Sequence, residues 1–166
     1  MRTLPTALAA ALLALTLAGS ASAQSTGSLP ASAAPMSAPD VYQIYAGRTW
    51  TWPDGAAYFS RDRKFVAWSG TGDSSGYAEG RWLLTDMGRL CWEADWHGAA
   101  WSKHETTCFS HRVADGAIYQ RKDPNGAWYV FRHNPPAADD EFVKLGRGDL
   151  VTTIYNRIKE AFAPVK

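Results

Sequence analysis

Turn-forming steps set between short aromatic runs constrain this chain more than any other feature. Asp115-Gly116 and Pro124-Asn125-Gly126 join Pro53-Asp54-Gly55 and Asp86-Met87-Gly88 in marking reversals. Asp-Gly and Asn-Gly accept positive φ at both central residues of a tight turn, so they close hairpins between antiparallel strands. Between the turns run apolar stretches at 48–52, 56–60, 65–69, 77–85, 89–96, 104–113, 117–122 and 127–133. A charged turn at 61–64, a glycine/serine loop at 70–76 and a longer loop at 97–103 complete the punctuation. About eight strands at this spacing predict an all-β fold, an antiparallel meander curled into a small barrel or strongly curved sheet.

The first residues have a different character. Arg2 precedes an apolar stretch over 4–19, and Ala21-Ser22-Ala23 offers small residues for cleavage, so 1–23 reads as a signal peptide with the mature chain starting at Gln24. The alternative is an uncleaved anchor, but the run is short for a span of roughly 20 residues. Residues 24–39, rich in Ser, Ala, Pro and Gly, read as a flexible linker, leaving 40–166 as one domain. The expected location is periplasmic or secreted, with no membrane span after cleavage.

Charge and composition narrow the partners. The chain carries 17 Lys+Arg against 16 Asp+Glu, without the basic stripe of a nucleic-acid binder. With 46% hydrophobic and 13% aromatic residues it holds enough apolar surface for a core, which excludes acidic disorder.

In an oxidising compartment Cys91 and Cys108, an even pair without metal-ligand spacing, read as a structural disulfide worth about 3 kcal/mol. Strand alternation supports the pairing. Cys91, Glu93 and Asp95 share one face of their strand, and Cys108 and Arg112 one face of theirs. Trp92, Trp96, Phe109 and Val113 then fall together on the opposite, interior face, and the polar Glu93, Asp95 and Arg112 gather outside with the disulfide.

Further along, 149–162 carries Leu150, Val151, Ile154, Tyr155, Ile158 and Phe162 on one helical face, with Asp149 as N-cap. This amphipathic C-terminal helix is expected against the sheet or over a barrel end. A short helical turn over 37–45, with Val41, Ile44 and Tyr45 apolar, would cover the other end.

Several motifs together resemble a known family. Tyr45-Ala46-Gly47-Arg48-Thr49-Trp50-Thr51-Trp52, Gly55-Ala56-Ala57-Tyr58-Phe59 and Ala78-Glu79-Gly80-Arg81-Trp82 look like its first half. Gly88-Arg89-Leu90-Cys91, Thr107-Cys108-Phe109-Ser110-His111-Arg112, Ile118-Tyr119-Gln120-Arg121 and Trp128-Tyr129-Val130-Phe131 continue the likeness. The family is the uncharacterised Gram-negative exported domain of unknown function 995, resembled over roughly Tyr42 to Tyr155. It implies an envelope or secreted protein and supplies no catalytic residues. A looser likeness to lipocalin-type barrels rests on Gly80-Arg81-Trp82, which sits mid-chain, and on Gly47-x-x-Trp50, one residue too long.

The chemistry-bearing residues form no catalytic set. There is no Gly-x-Ser-x-Gly, and His97, His104, His111 and His133 show no metal-ligand spacing, so neither metal nor cofactor is expected. Glu93 and Asp95 on one strand face read as solvated surface facing Arg112. The eight tryptophans exceed what packing a domain this size needs. Trp50, Trp82, Trp92 and Trp128 are expected in the core. Trp101 falls in the loop 97–103 and Trp96 at the strand end leading into it, where aromatic rings suit stacking on a ligand, with the loop 70–76 as an opposing rim. His111 points to the aromatic side, either as a satisfied core histidine or as a polar anchor for ligand.

Trp96, Trp101 and His111 are therefore the candidate ligand contacts. The expected function is that of a monomeric, non-catalytic binding or cell-envelope accessory module for a small apolar ligand or glycan. The alternative is an envelope protein–protein interaction or inhibitor protein acting through an exposed rim loop.

Overall fold

Alternation of large and small apolar residues along consecutive strands produces a sheet that curls onto its own inner face. The computed structural model describes residues 29–163. Its strands are β1 (Ala34–Pro35), β2 (Arg48–Trp52), β3 (Gly55–Phe59), β4 (Lys64–Ser69), β5 (Gly76–Thr85), β6 (Arg89–Gly98), β7 (Ser102–Ala114), β8 (Ala117–Lys122), β9 (Tyr129–Arg132) and β10 (Leu145–Arg147), with helices α1 (Ala38–Tyr45) and α2 (Thr152–Ala161). Neighbours run β10-β2-β3-β4-β5-β6-β7-β8-β9, all antiparallel, with β1 pairing on β7. The curl brings the first and last strands face to face. Trp50 on β2 meets Phe109 on β7 at 5.2 Å and Phe131 on β9 at 6.3 Å between ring centroids. The molecule is a strongly curled half-barrel.

The eight expected strands are all present, and two short ones join them. β10 follows a helical turn, Glu141–Lys144, that spans the seam between the two sheet edges. There Arg48 of β2 and Arg132 of β9 both lie over the Phe142 ring, at 5.7 and 5.4 Å.

Residues 33–39, read as the end of a flexible linker, are docked instead. Ala33 and Met36 are buried, Pro35 pairs with Arg112, and α1 has already begun at Ala38. The leader 1–23 and the linker residues 24–28 lie outside the described residues.

Two caps hold the helices. Ser37 accepts from the Asp40 amide at the head of α1, and this helix buries Val41, Ile44 and Tyr45 in one end of the half-barrel, as expected. Asp149 accepts from the Val151 and Thr152 amides at 2.9 Å each, starting α2. α2 packs on the outer face of β4 and β5, where Val151 and Tyr155 join Ala56 against Tyr58, Val66, Trp68 and Tyr77. Leu150, expected on its apolar face, precedes the helix and is 60% exposed.

Cys91 and Cys108 sit directly opposite one another on β6 and β7 and form a disulfide. Both face away from the aromatic interior, as alternation predicts. Two expectations for the outer face need correction. Arg112 does not meet Glu93 or Asp95, because it lies well along the strand from them; it donates to the Ala33 carbonyl and flanks Trp128. Trp128 is not core: it lies half-buried on the outer face, with Arg121 at 5.0 Å from its ring centre and Arg112 at 5.8 Å. Two cations on neighbouring strands hold that indole from outside.

Candidate functional site

Inward-facing positions on β3, β4 and β5 are Gly55, Ala57 and Phe59, then Phe65, Ala67 and Ser69, then Gly76, Ala78 and Gly80. Large rings therefore gather toward the α1 end, and small residues toward the opposite mouth. Ala57, Ala67 and Ala78 form one cross-strand row, continued by Trp50 on β2 and Trp96 on β6. The next row toward the mouth reads Trp52, Gly55, Ser69, Gly76 and Gly98. Small side chains in two adjacent rows leave a cavity of about 580 Å³. This is within the range of about 300–1,000 Å³ typical of small-molecule sites.

Five tryptophans reach the cavity: Trp50, Trp52, Trp92, Trp96 and Trp101. Trp92 is sandwiched between Phe65 and Phe109, stacked at 5.3 and 5.6 Å, and these three rings form the inner wall. Trp50 donates its indole N–H to Glu141 at 3.0 Å across the seam. Charged groups stand around the opening: Asp54 on the β2–β3 turn, Lys103 and Glu105 on β7, Lys122 at the end of β8, and Glu141. Lys103 and Glu105 pair at 2.9 Å, and Lys144 neutralises Glu141 at 2.7 Å.

The loop expected at 97–103 is much shorter. β6 and β7 extend into it and leave only residues 99–101 to turn, because continued pairing satisfies backbone groups that a loop would leave to water. Trp101 is held there by two glycines. A Cβ at Gly98 would fall 2.1–2.8 Å from three atoms of its five-membered ring, and one at Gly76 would lie 3.2 Å from its six-membered ring. The indole thus lies over the Gly76–Gly98 pair, and the residue remains 42% exposed. Trp52 repeats the arrangement over its cross-strand partner Gly55, where a Cβ would be 2.3–2.6 Å from the ring, and its N–H donates to Ser69 Oγ at 3.3 Å.

Of the candidate contacts, Trp96 and Trp101 both line the cavity, and the loop 70–76 reaches it through Gly70 and Ser74. His111 does not line it. Its ring is fully buried toward the α1 end, with Nδ1 3.0 Å from the Gly88 carbonyl and Nε2 2.8 Å from the Tyr45 hydroxyl. Nδ1–H donates to Gly88, so Nε2 accepts from Tyr45. Gln120 donates to the Tyr45 oxygen at 2.6 Å and accepts from the Tyr129 hydroxyl. Burial lowers the His111 pKa to about 4 and raises that of Tyr45 far above its ordinary value, so the cluster is neutral.

The remaining histidines also lie off the cavity's lining. His104 meets Asp95 on the outer face at 2.8 Å, and His97 stacks on Tyr77 at 5.0 Å. His133 binds Asp140, whose burial opposes its charge; the His133 ring and the amides of His133 and Ala137 outweigh that and hold the carboxyl below its usual value. Among the described residues no three His, Cys, Asp or Glu side chains cluster in a metal-holding arrangement.

Trp52 and the glycine seats at Gly55, Gly76 and Gly98 were not anticipated. Their signal was present in the alternation of glycine and alanine along 55–59 and 76–80, but it needs the strand register to become a surface.

Fold and site define a class: a curled antiparallel half-barrel, plugged at one end by a helix and open at the other through an aromatic mouth. The chain belongs to the family described as Protein of unknown function (DUF995), whose model matches residues 10–151. No curated protein and no solved structure matches it.

Proposed function

We propose that this protein is an exported, non-catalytic binding module whose open barrel end takes a small ligand. The observation that carries the reading is the convergence of five indoles on one cavity of about 580 Å³. Aromatic walls with a few polar groups at the opening are the usual build of a small-molecule site. No histidine lines the cavity, Ser69 Oγ accepts from Trp52 and Ser74 Oγ donates to the Thr71 carbonyl, which favours binding over serine-type catalysis. A disulfide between Cys91 and Cys108 supports export to an oxidising compartment.

The test is titration of the purified chain with oligosaccharides and fatty acids while tryptophan emission is followed. Saturable changes in emission, lost in Trp96→Ala, are expected. A flat response to every compound, with a stable protein partner recovered by pull-down, would favour the alternative of an envelope interaction protein acting through the Trp101 rim.

A further inference from the structure

We infer that the ligand is a segment of glycan chain, laid across a two-indole pavement at the mouth. The inference rests on the binding reading above and names its ligand class. The row Trp52–Gly55–Ser69–Gly76–Gly98 crosses five consecutive strands on the inner face. Trp52 lies over it at Gly55, and Trp101 at Gly76 and Gly98. A Cβ at Gly55 or Gly98 would fall within 3 Å of these rings, so the glycines are what let the rings settle onto the sheet. With strands about 4.8 Å apart, the step from Gly55 on β3 to the Gly76–Gly98 pair on β5 and β6 covers two to three strand spacings, about 10–14 Å along the sheet. A ligand that touches both indoles must therefore be an extended chain, and hexose rings offer flat C–H faces that stack on indoles.

Depth and polarity point the same way. An acyl chain needs a long dry tunnel, but the cavity is an open cleft that ends on the wall of Phe65, Trp92 and Phe109, beyond which the lumen is filled. Phe65, Trp92 and Phe109 stand in one stack, and Phe59 packs edge-on against both Phe65 and Trp92 at 5.5 and 5.6 Å. Sugar hydroxyls need hydrogen-bonding groups at the edges of a stacking surface. Asp54, Lys103, Glu105 and Lys122 provide carboxylates and ammonium groups of both signs around the opening. Mixed charge of this kind suits hydroxyls and amides better than a single anionic head group.

The experiment measures chitotetraose and cellotetraose binding to the full chain by calorimetry, with sodium laurate as the competing ligand class. At least one sugar is expected to bind, with affinity reduced about tenfold or more in both Trp52→Ala and Trp101→Ala. Gly98→Ala retains Trp101 but unseats its ring, and is expected to weaken the sugar to a similar degree. Lys159→Ala on the outer face is expected to bind as the parent does, and circular dichroism checks that each variant folds. Laurate binding that is unaffected by Trp101→Ala, with no sugar bound, overturns the glycan inference and leaves the binding module standing. No binding of sugars or laurate up to about 10 mM overturns both. Sugar binding indifferent to Trp52, Trp101 and Gly98 overturns the pavement.

Discussion

The α1 end and the mouth are built from the same strands, yet they solve opposite problems. At the α1 end the inward positions carry Phe59, Phe65 and Trp82, and a buried polar cluster, Tyr45–His111–Gln120–Tyr129, is bonded internally and to the Gly88 carbonyl. At the mouth the inward positions shrink to glycine, alanine and serine, and tryptophans lie over them with a face left free. Packing is thereby concentrated at one end and the open aromatic cavity at the other. A strand need only exchange large residues for small ones halfway along to serve both.

Substitutions at the two ends should separate sharply. Trp82→Ala removes a fully buried ring whose N–H donates to the Ser60 carbonyl at 2.9 Å, and over which Arg63 lies at 4.6 Å. A loss of about 3–5 kcal/mol is expected in urea unfolding, the largest effect in the molecule. An equally severe loss from Trp101→Ala would break the contrast between the ends.

Replacing Cys91 and Cys108 together by Ala should cost about 3 kcal/mol, measured the same way, with the fold retained. The acid response belongs to the packed end. His111 has its pKa depressed to about 4 from 6.5, so the unfolded chain takes up the proton first. Stability contributed by the neutral ring is present above pH 6.5 and is lost as pH falls toward 4, by about 2 kcal/mol at pH 5. His111→Asn should flatten that part of a melting-temperature profile against pH; an unchanged slope would place the acid sensitivity elsewhere.

The smallest effects are expected at the surface and the rim. Lys159→Ala breaks an exposed pair with Glu79 at 2.7 Å and should change stability by less than about 1 kcal/mol. Trp101→Ala should likewise cost less than about 1 kcal/mol while altering ligand affinity, which sharpens the division between the two ends.

Much of this was legible in the residues themselves. Asp115-Gly116 and Asp86-Met87-Gly88 marked real turns, and the alternation around Cys91 and Cys108 placed Trp92 and Phe109 on one inner face because the strand period is two. The helical stripe around Tyr155 was equally plain. What escaped was non-local. Short β10 has no periodicity of its own and forms only because β2 offers an edge. Trp128 has the composition of a core residue, and only the folded sheet brings Arg112 and Arg121 to its outer position. Trp96 and Trp101 were found from their place near a turn. Their partner Trp52 was not, because only the hairpin register sets Gly55 directly across from it.

The sulfur bridge has one more consequence. It joins β6, which carries Trp96, to β7, which follows the turn holding Trp101, at a point where Cys91 and Cys108 stand directly opposite. Sliding either strand by one position would invert its inward and outward residues. Covalent closure forbids that slide, so the oxidised thiols serve as an alignment pin for a tryptophan seated several residues away, and the alignment of that distant hairpin tip becomes sensitive to the redox state of its surroundings.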